Sequence, residues 1–218
     1  MHAFEKFAPG LRRLSDKLAR LRRDKTGIAA VEFALVLPIM VTMYLGCCEI
    51  SSGFSASKKT DSVARALADL TSQVAVVVDQ NQMNDIIAAS TGVMQPYDGT
   101  LAALTITSFI MPTPANGQPV KAYTDWSYVR GGTAVTCGDQ TANVPAGFLS
   151  PGRSVIRADV RYVYRPLVAG PFYTIGNGST TGVPLSASLW MQPRILARVQ
   201  LTAGMTGICI YNPAKIFP

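Results

Sequence analysis

Lys25-Thr26-Gly27-Ile28-Ala29-Ala30-Val31-Glu32-Phe33-Ala34-Leu35-Val36-Leu37-Pro38 opens an apolar run that closes at Gly46-Cys47-Cys48-Glu49-Ile50. From Ile28 to Ile50 the run holds 23 residues. As a helix it would measure roughly 34 Å, enough to cross a bilayer. Sixteen uncharged residues separate Glu32 from Glu49. Pro38 falls in the first half, where a membrane helix tolerates proline better than a soluble one does. Glu32 is the anomaly. A charged side chain at the centre of a membrane helix costs about 2.5 to 3.5 kcal/mol on insertion scales, so this carboxylate needs an interfacial position or a partner.

Outward from that stretch, charge sets the orientation. Residues 1–27 carry eight Lys/Arg and three acids, a net +5. The rest of the chain carries twelve basic and ten acidic groups, a net +2. Lys58, Lys59 and Arg65 follow the span. The denser positive side is expected in the cytoplasm, with residues after about 50 outside. The overall charge of +7 therefore reports mainly the N-terminal segment and gives no support for nucleic acid as a partner. Two plainer readings compete. One is a cleaved secretory signal ending near Ser55-Ala56-Ser57; the other is a simple single-span anchor. Neither accounts for an acid five residues past the glycine that closes a basic leader.

Hydrophobic residues make up 48% of the 218-residue chain and charged ones 15%, which tilts it towards membrane or envelope proteins. Fourteen prolines and eighteen glycines point to many turns. The single histidine is His2, which argues against a histidine triad, proton shuttle or zinc site. There is no glycine-rich phosphate loop and no Gly-x-Ser-x-Gly elbow. No enzyme, cofactor or metal is expected.

Gly27, Ile28, Glu32 and Phe33 carry the most specific pattern: a basic leader, a glycine, four residues, then Glu followed by an aromatic. Together with Ala34-Leu35-Val36-Leu37-Pro38 this stretch resembles the TadE-like minor pilins, or pseudopilins, of tight-adherence (Tad/Flp) type IV pilus systems. The resemblance is best over residues 25–50. It implies cleavage between Gly27 and Ile28 by a prepilin peptidase, and a role for Glu32 and Phe33 in recognition or assembly. Cleavage would create an amine on Ile28, and a carboxylate can offset burial of such a charge on the same or a neighbouring chain. The implied partners are the peptidase, other minor and major pilins, an inner-membrane assembly platform and membrane lipid. The implied location is the bacterial inner membrane, with the C-terminal domain in the periplasm. The implied function is pilus initiation, priming or capping. The alternative is a single-span, membrane-tethered envelope binding protein that is not processed as a pilin.

The expected fold class is α+β: a long N-terminal transmembrane and stalk helix followed by an antiparallel β-sheet domain, pilin-like in plan. The expected division is a leader over 1–27, a span over 28–50, a helical stalk over 51–95 and a β-rich periplasmic domain over 96–218. Val63, Leu67, Leu70, Val74 and Val77 recur at helical spacing. A short second helix is expected from Asn81 or Asn84 through Ala89. Beyond Pro96 the period becomes two. Ala102, Leu104, Ile106, Ser108 and Ile110 form one face, and Ile156 to Tyr164 and Leu185 to Met191 alternate likewise. Strands are also expected over Lys121–Val129 and, after a break at Pro193, over Arg194–Leu201. The sheet is expected to keep one wet face. Tyr162 to Leu167 and Met191 to Arg194 also resemble the C-terminal part of TadE-like proteins.

Cys137 and Cys209 fall in the outer domain, where two lone cysteines most simply pair. Such a bridge would close a long loop and stabilise by roughly 4 kcal/mol on the chain-entropy model. Free thiols and intermolecular bridges are the alternatives. Cys47 and Cys48 read as small apolar residues of the span.

Overall fold

The computed structural model describes residues 27–75, 78–114, 119–132, 135–137, 144–166, 182–202, 205 and 208–210, the last three by backbone alone. The basic leader before Gly27 and most of the 166–184 loop lie outside the described residues. Two compact units divide the chain, one ending at Cys48 and the other beginning at Glu49. The arrangement is α+β.

The first unit contributes the apolar part of helix α1, which is assigned over Ile28–Ser72. This is a helix long and apolar enough to cross a membrane, with a mean hydropathy of 2.1 in its best window and none of that window buried. Val31, Phe33, Leu35, Ile39, Met43 and Tyr44 are all exposed. Leucines and valines left facing outward along a whole helix need lipid or other helices around them. Pro38 sits within the helix without ending it. Its missing N–H leaves the Ala34 carbonyl without its usual partner. Thr42 Oγ1 donates to the Pro38 carbonyl at 2.7 Å.

The second unit holds the rest of α1, helix α2 (Gln80–Gly92) and five strands. The strands are β1 (Ala103–Met111), β2 (Tyr123–Arg130), β3 (Arg153–Tyr164), β4 (Val183–Met191) and β5 (Ile208–Ile210). They form one sheet in the order β4-β3-β1-β2-β5, with every pairing antiparallel. α2 starts at a full capping box. The Asp79 side chain accepts from the Gln82 N–H at 2.8 Å, and the Gln82 side chain accepts from the Asp79 N–H at 3.2 Å.

One core lies between the helices and one face of the sheet. From α1 come Ala56, Val63, Ala64, Leu67 and Ala68, and from α2 Met83 and Ile87. The strands supply Leu104, Ile106, Trp126, Tyr128, Ile156, Ala158 and Val160. The buried stripe of α1 differs from the expected one. Val63 and Leu67 are buried, but Leu70 and Val74 are only partly so, and Val77 lies outside the described residues. Ala56, Thr60, Ala64, Ala68 and Thr71 complete the stripe instead. Small side chains let a helix approach a sheet closely, so the packing line follows them and not the large apolar residues alone.

Two further expectations are corrected. The second face of the sheet is not simply wet. Phe109, Met111 and Val155 are buried there with Ala122 and Val144, and Phe148, Leu149 and Trp190 pack against them. A register shift between Ser108 and Phe109 marks the point on β1 where this second cluster begins. The other correction concerns Arg194–Leu201, which forms no strand. Its backbone is instead held by several separate elements. The Arg194 N–H donates to the Ser72 carbonyl at 2.9 Å, and the Ser154 N–H donates to the Ala197 carbonyl at 2.9 Å. Trp126 Nε1 donates to the Val199 carbonyl at 2.8 Å. The Val78 N–H donates to the Gln200 carbonyl at 2.9 Å, and Val78 forms a parallel bridge with Leu201. A segment whose hydrogen bonds go to unrelated elements cannot also serve a ladder.

Candidate functional site

The start of α1 presents the Gly27–Ile28 bond at an exposed chain turn. The Gly27 carbonyl accepts the first helical bond, from the Val31 N–H at 3.1 Å. Among the described residues nothing lies within 4 Å of a Cβ placed on Gly27. Ile28 and Phe33 are half or more exposed. Glu32 is exposed too and has no hydrogen-bond or ion-pair partner among the described residues. Residues four apart share a helix face, so Glu32 stands one turn along from Ile28.

A second group of residues meets α1 where the second unit begins. Tyr164 Oη donates to Glu49 Oε1 at 2.9 Å. Tyr97 Oη donates to the Ser52 carbonyl at 2.8 Å. The Tyr97 ring meets Tyr162 and Tyr164 edge-to-face, with centroids 6.5 and 6.2 Å away. A Cβ on Gly53 would lie 3.5 Å from the Tyr164 ring, an ordinary contact distance, so α1 passes directly beside that ring. β3 carries Tyr162 and Tyr164 on its core face, as the alternation predicts, and the turn after α2 supplies Tyr97. The resemblance over Tyr162 to Leu167 gives those tyrosines no task, and no local pattern in the sequence marks Tyr97 or Glu49 as their partners.

Burial pushes the Tyr164 phenol above its ordinary 10.0, and its hydrogen bond to Glu49 adds to the rise. Burial also raises Tyr162, with the charge of Asp98 next in effect. A raised folded value favours the neutral phenol in the fold. Stability from these groups is therefore fully present below about pH 10 and is lost as pH climbs through the folded values. Tyr164→Phe should lower stability by about 1.5 to 3 kcal/mol, the scale of a hydrogen bond to a charged acceptor. It should also blunt the alkaline loss. Denaturant melts at pH 8 and above pH 10 would check both, and an unchanged alkaline profile would remove Tyr164 from the account.

The buried charge of the second unit is Asp125 on β2, whose side chain has no exposure. Arg198 grips it with both forks, Nε to Oδ2 at 2.7 Å and Nη2 to Oδ1 at 2.5 Å. Burial pushes the Asp125 carboxyl up, while the Arg198 hydrogen bond and charge pull it back. An aspartate inside the apolar and aromatic run of β2 was the available signal, since strands are depleted in Asp.

Cys137 takes part in a disulfide bond. Its Sγ lies 3.7 Å from the Asp125 carbonyl oxygen. Cys209 stands on β5 opposite Ser127, two residues further along β2, and its side chain lies outside the described residues. Cys47 and Cys48 are exposed on α1. No group of three or more His, Cys, Asp or Glu side chains is placed to hold a metal among the described residues.

Residues 27–69 match the family model of TadE-like proteins. The match begins at Gly27 and runs through Glu32, Glu49 and Gly53 to Asp69 on α1. No curated protein and no solved structure matches the chain.

Proposed function

We propose that this chain, TadE-like over residues 27–69, is a minor pilin or pseudopilin that helps to assemble a tight-adherence pilus by initiating, priming or capping it. The observation that carries the reading is the Gly27–Glu32 spacing at the exposed start of an unburied apolar helix. In this reading a prepilin peptidase cuts between Gly27 and Ile28. The helix anchors the chain once in the inner membrane, with the basic leader in the cytoplasm and the sheet in the periplasm. Lipid surrounds the exposed face of α1 until other pilin helices and the assembly platform replace it. Glu32 then fixes the register of packed helices by pairing with an Ile28 amine. The tyrosines around Glu49 and Ser52 hold the first turns of α1 that follow the apolar segment, so that a pull on the helix reaches the sheet.

The deciding experiment is the N-terminal residue of the protein extracted from membranes of its native host, by intact mass and terminal sequencing. A start at Ile28 is expected. A start near Lys58 would mean release by signal peptidase and would end the pilin reading. An intact Met1 would favour the tethered binding protein.

Pairing of Cys137 with Cys209 belongs to the same proposal, since a periplasmic domain is oxidised. Thiol labelling of the unfolded, unreduced protein should modify Cys47 and Cys48 only. Labelling of Cys209 would exclude the pair.

A further inference from the structure

On the second face of the sheet, below the turn that follows β2, a cavity of about 230 Å³ is lined by Thr105, Gly132, Val135, Arg157, Asp159 and Arg161. The strand register sets these side chains together. Ala103 is paired with Arg161, Thr105 with Asp159, and Thr107 with Arg157. Gly131 turns the chain with a φ of 70°. Gly132 then lies so close to β1 that a Cβ on it would stand 3.2 Å from Thr105 Oγ1.

The two arginines of the cavity differ in their partners. Arg157 is fixed: its Nε meets Asp159 Oδ2 at 2.6 Å, and its guanidinium lies over Phe109 and Trp190 at 5.5 and 5.4 Å from the ring centroids. Asp159 is held in turn by Ser188, whose hydroxyl donates to Oδ1 at 2.6 Å. Arg161 has no hydrogen-bond or ion-pair partner among the described residues, and the same holds for the Thr105 hydroxyl. Among the described residues the walls thus carry two guanidinium charges against one carboxylate. One positive charge is left over, with unused donors beside it.

We propose that this cavity is a binding site for the carboxylate group of a small acidic ligand, with Arg161 as the charged anchor and Thr105 as a neighbouring donor. A planar carboxylate suits the forked donors of arginine. A single negative charge matches the surplus, whereas a phosphate dianion would face Asp159 with charge to spare. The site is separate from the membrane helix and does not depend on how α1 is processed.

The test uses the full chain in a neutral detergent, titrated at constant ionic strength with acetate, galacturonate, galactose and inorganic phosphate, with thermal stability as the readout. Acetate and galacturonate should raise the melting temperature saturably, and galactose should not. Arg161→Gln, on an exposed position of β3, should weaken the response by roughly tenfold to a hundredfold, the scale of a lost charged hydrogen bond. Gly132→Ala, which crowds Thr105, should weaken it as well. A response to galacturonate without acetate would uphold the site and assign the remaining affinity to the sugar ring. Three outcomes would overturn the proposal: no saturable response to either carboxylate, a response to phosphate alone, or unchanged affinity in both variants.

Discussion

Arg198→Ala should destabilise the second unit by about 3 to 5 kcal/mol, the cost of leaving a buried charge without its partner. Asp125 is fully buried and both of its oxygens are taken by Arg198. Once the guanidinium is gone, nothing else among the described residues pairs with that carboxylate. The sign of the pH dependence follows from the existing shift. Burial already raises Asp125, and the loss of Arg198 would raise it further. A raised carboxylate in the fold means that the folded state holds its proton more tightly. Stability of the variant should therefore recover as pH falls through the folded value and level off once pH lies above it. Denaturant unfolding of both proteins at pH 5 and pH 8 measures this directly. A destabilisation equal at both pH values would show that Arg198 acts through packing alone. The double variant Asp125→Leu/Arg198→Met should regain much of the loss, since apolar replacements of buried ion pairs are often neutral or stabilising. Asp125 and Arg198 would then serve to choose one arrangement of the chain over others, and add little to its stability.

Glu32→Ala should abolish or severely reduce pilus output in the native host while leaving the second unit folded. The side chain is exposed and unpartnered, so its removal takes no contact from the core. In a bilayer the same substitution should make insertion easier by about 2.5 to 3.5 kcal/mol at most, since a charge is removed from an apolar segment. A defect in assembly would thus arise despite a better anchor, which separates a functional role from a structural one. Glu32→Gln keeps the shape and loses the charge, and should behave like Glu32→Ala if pairing with the Ile28 amine is the task. Counting pili by electron microscopy, beside a blot for processed and unprocessed chain, reads both steps. Normal pili in the Ala variant would remove Glu32 from the mechanism.

The parts of the fold legible in the sequence were those written in one local period. The apolar part of α1 was readable because sixteen uncharged, largely apolar residues run unbroken between Glu32 and Glu49. β3 and β4 were readable because Ile156, Ala158, Val160, Tyr162 and Tyr164, and then Leu185, Ala187, Leu189 and Met191, alternate without interruption. What escaped needed contacts between distant residues. Arg194–Leu201 has a strand-like composition, yet its bonds go to Ser72, Val78, Trp126 and Ser154. Asp125 and Arg198 stand 73 residues apart, and no spacing rule joins them. Phe109 and Met111 were not placed because the expected inner face ran through Ile110, and their cover comes from remote residues such as Val144, Phe148 and Trp190. At the candidate site the Gly27–Glu32 pattern was visible because it is short. The tyrosines around Glu49 were not, since that hydrogen bond spans 115 residues.

The segment from Arg194 to Thr202 also sets an order of events during synthesis. The Ser72 carbonyl, the Trp126 indole, the Ser154 N–H, the Asp125 carboxylate and the Val78 backbone all wait for partners within it. None of them can be satisfied until almost the whole chain has left the ribosome. Native pairing between residues so far apart in sequence is slow, because the loop must close before the contacts reward it. The apolar half of α1, by contrast, emerges first and needs nothing downstream to become a helix. A chain stopped anywhere before residue 194 would therefore carry a finished apolar helix on a second unit that cannot close, a natural substrate for quality-control proteolysis.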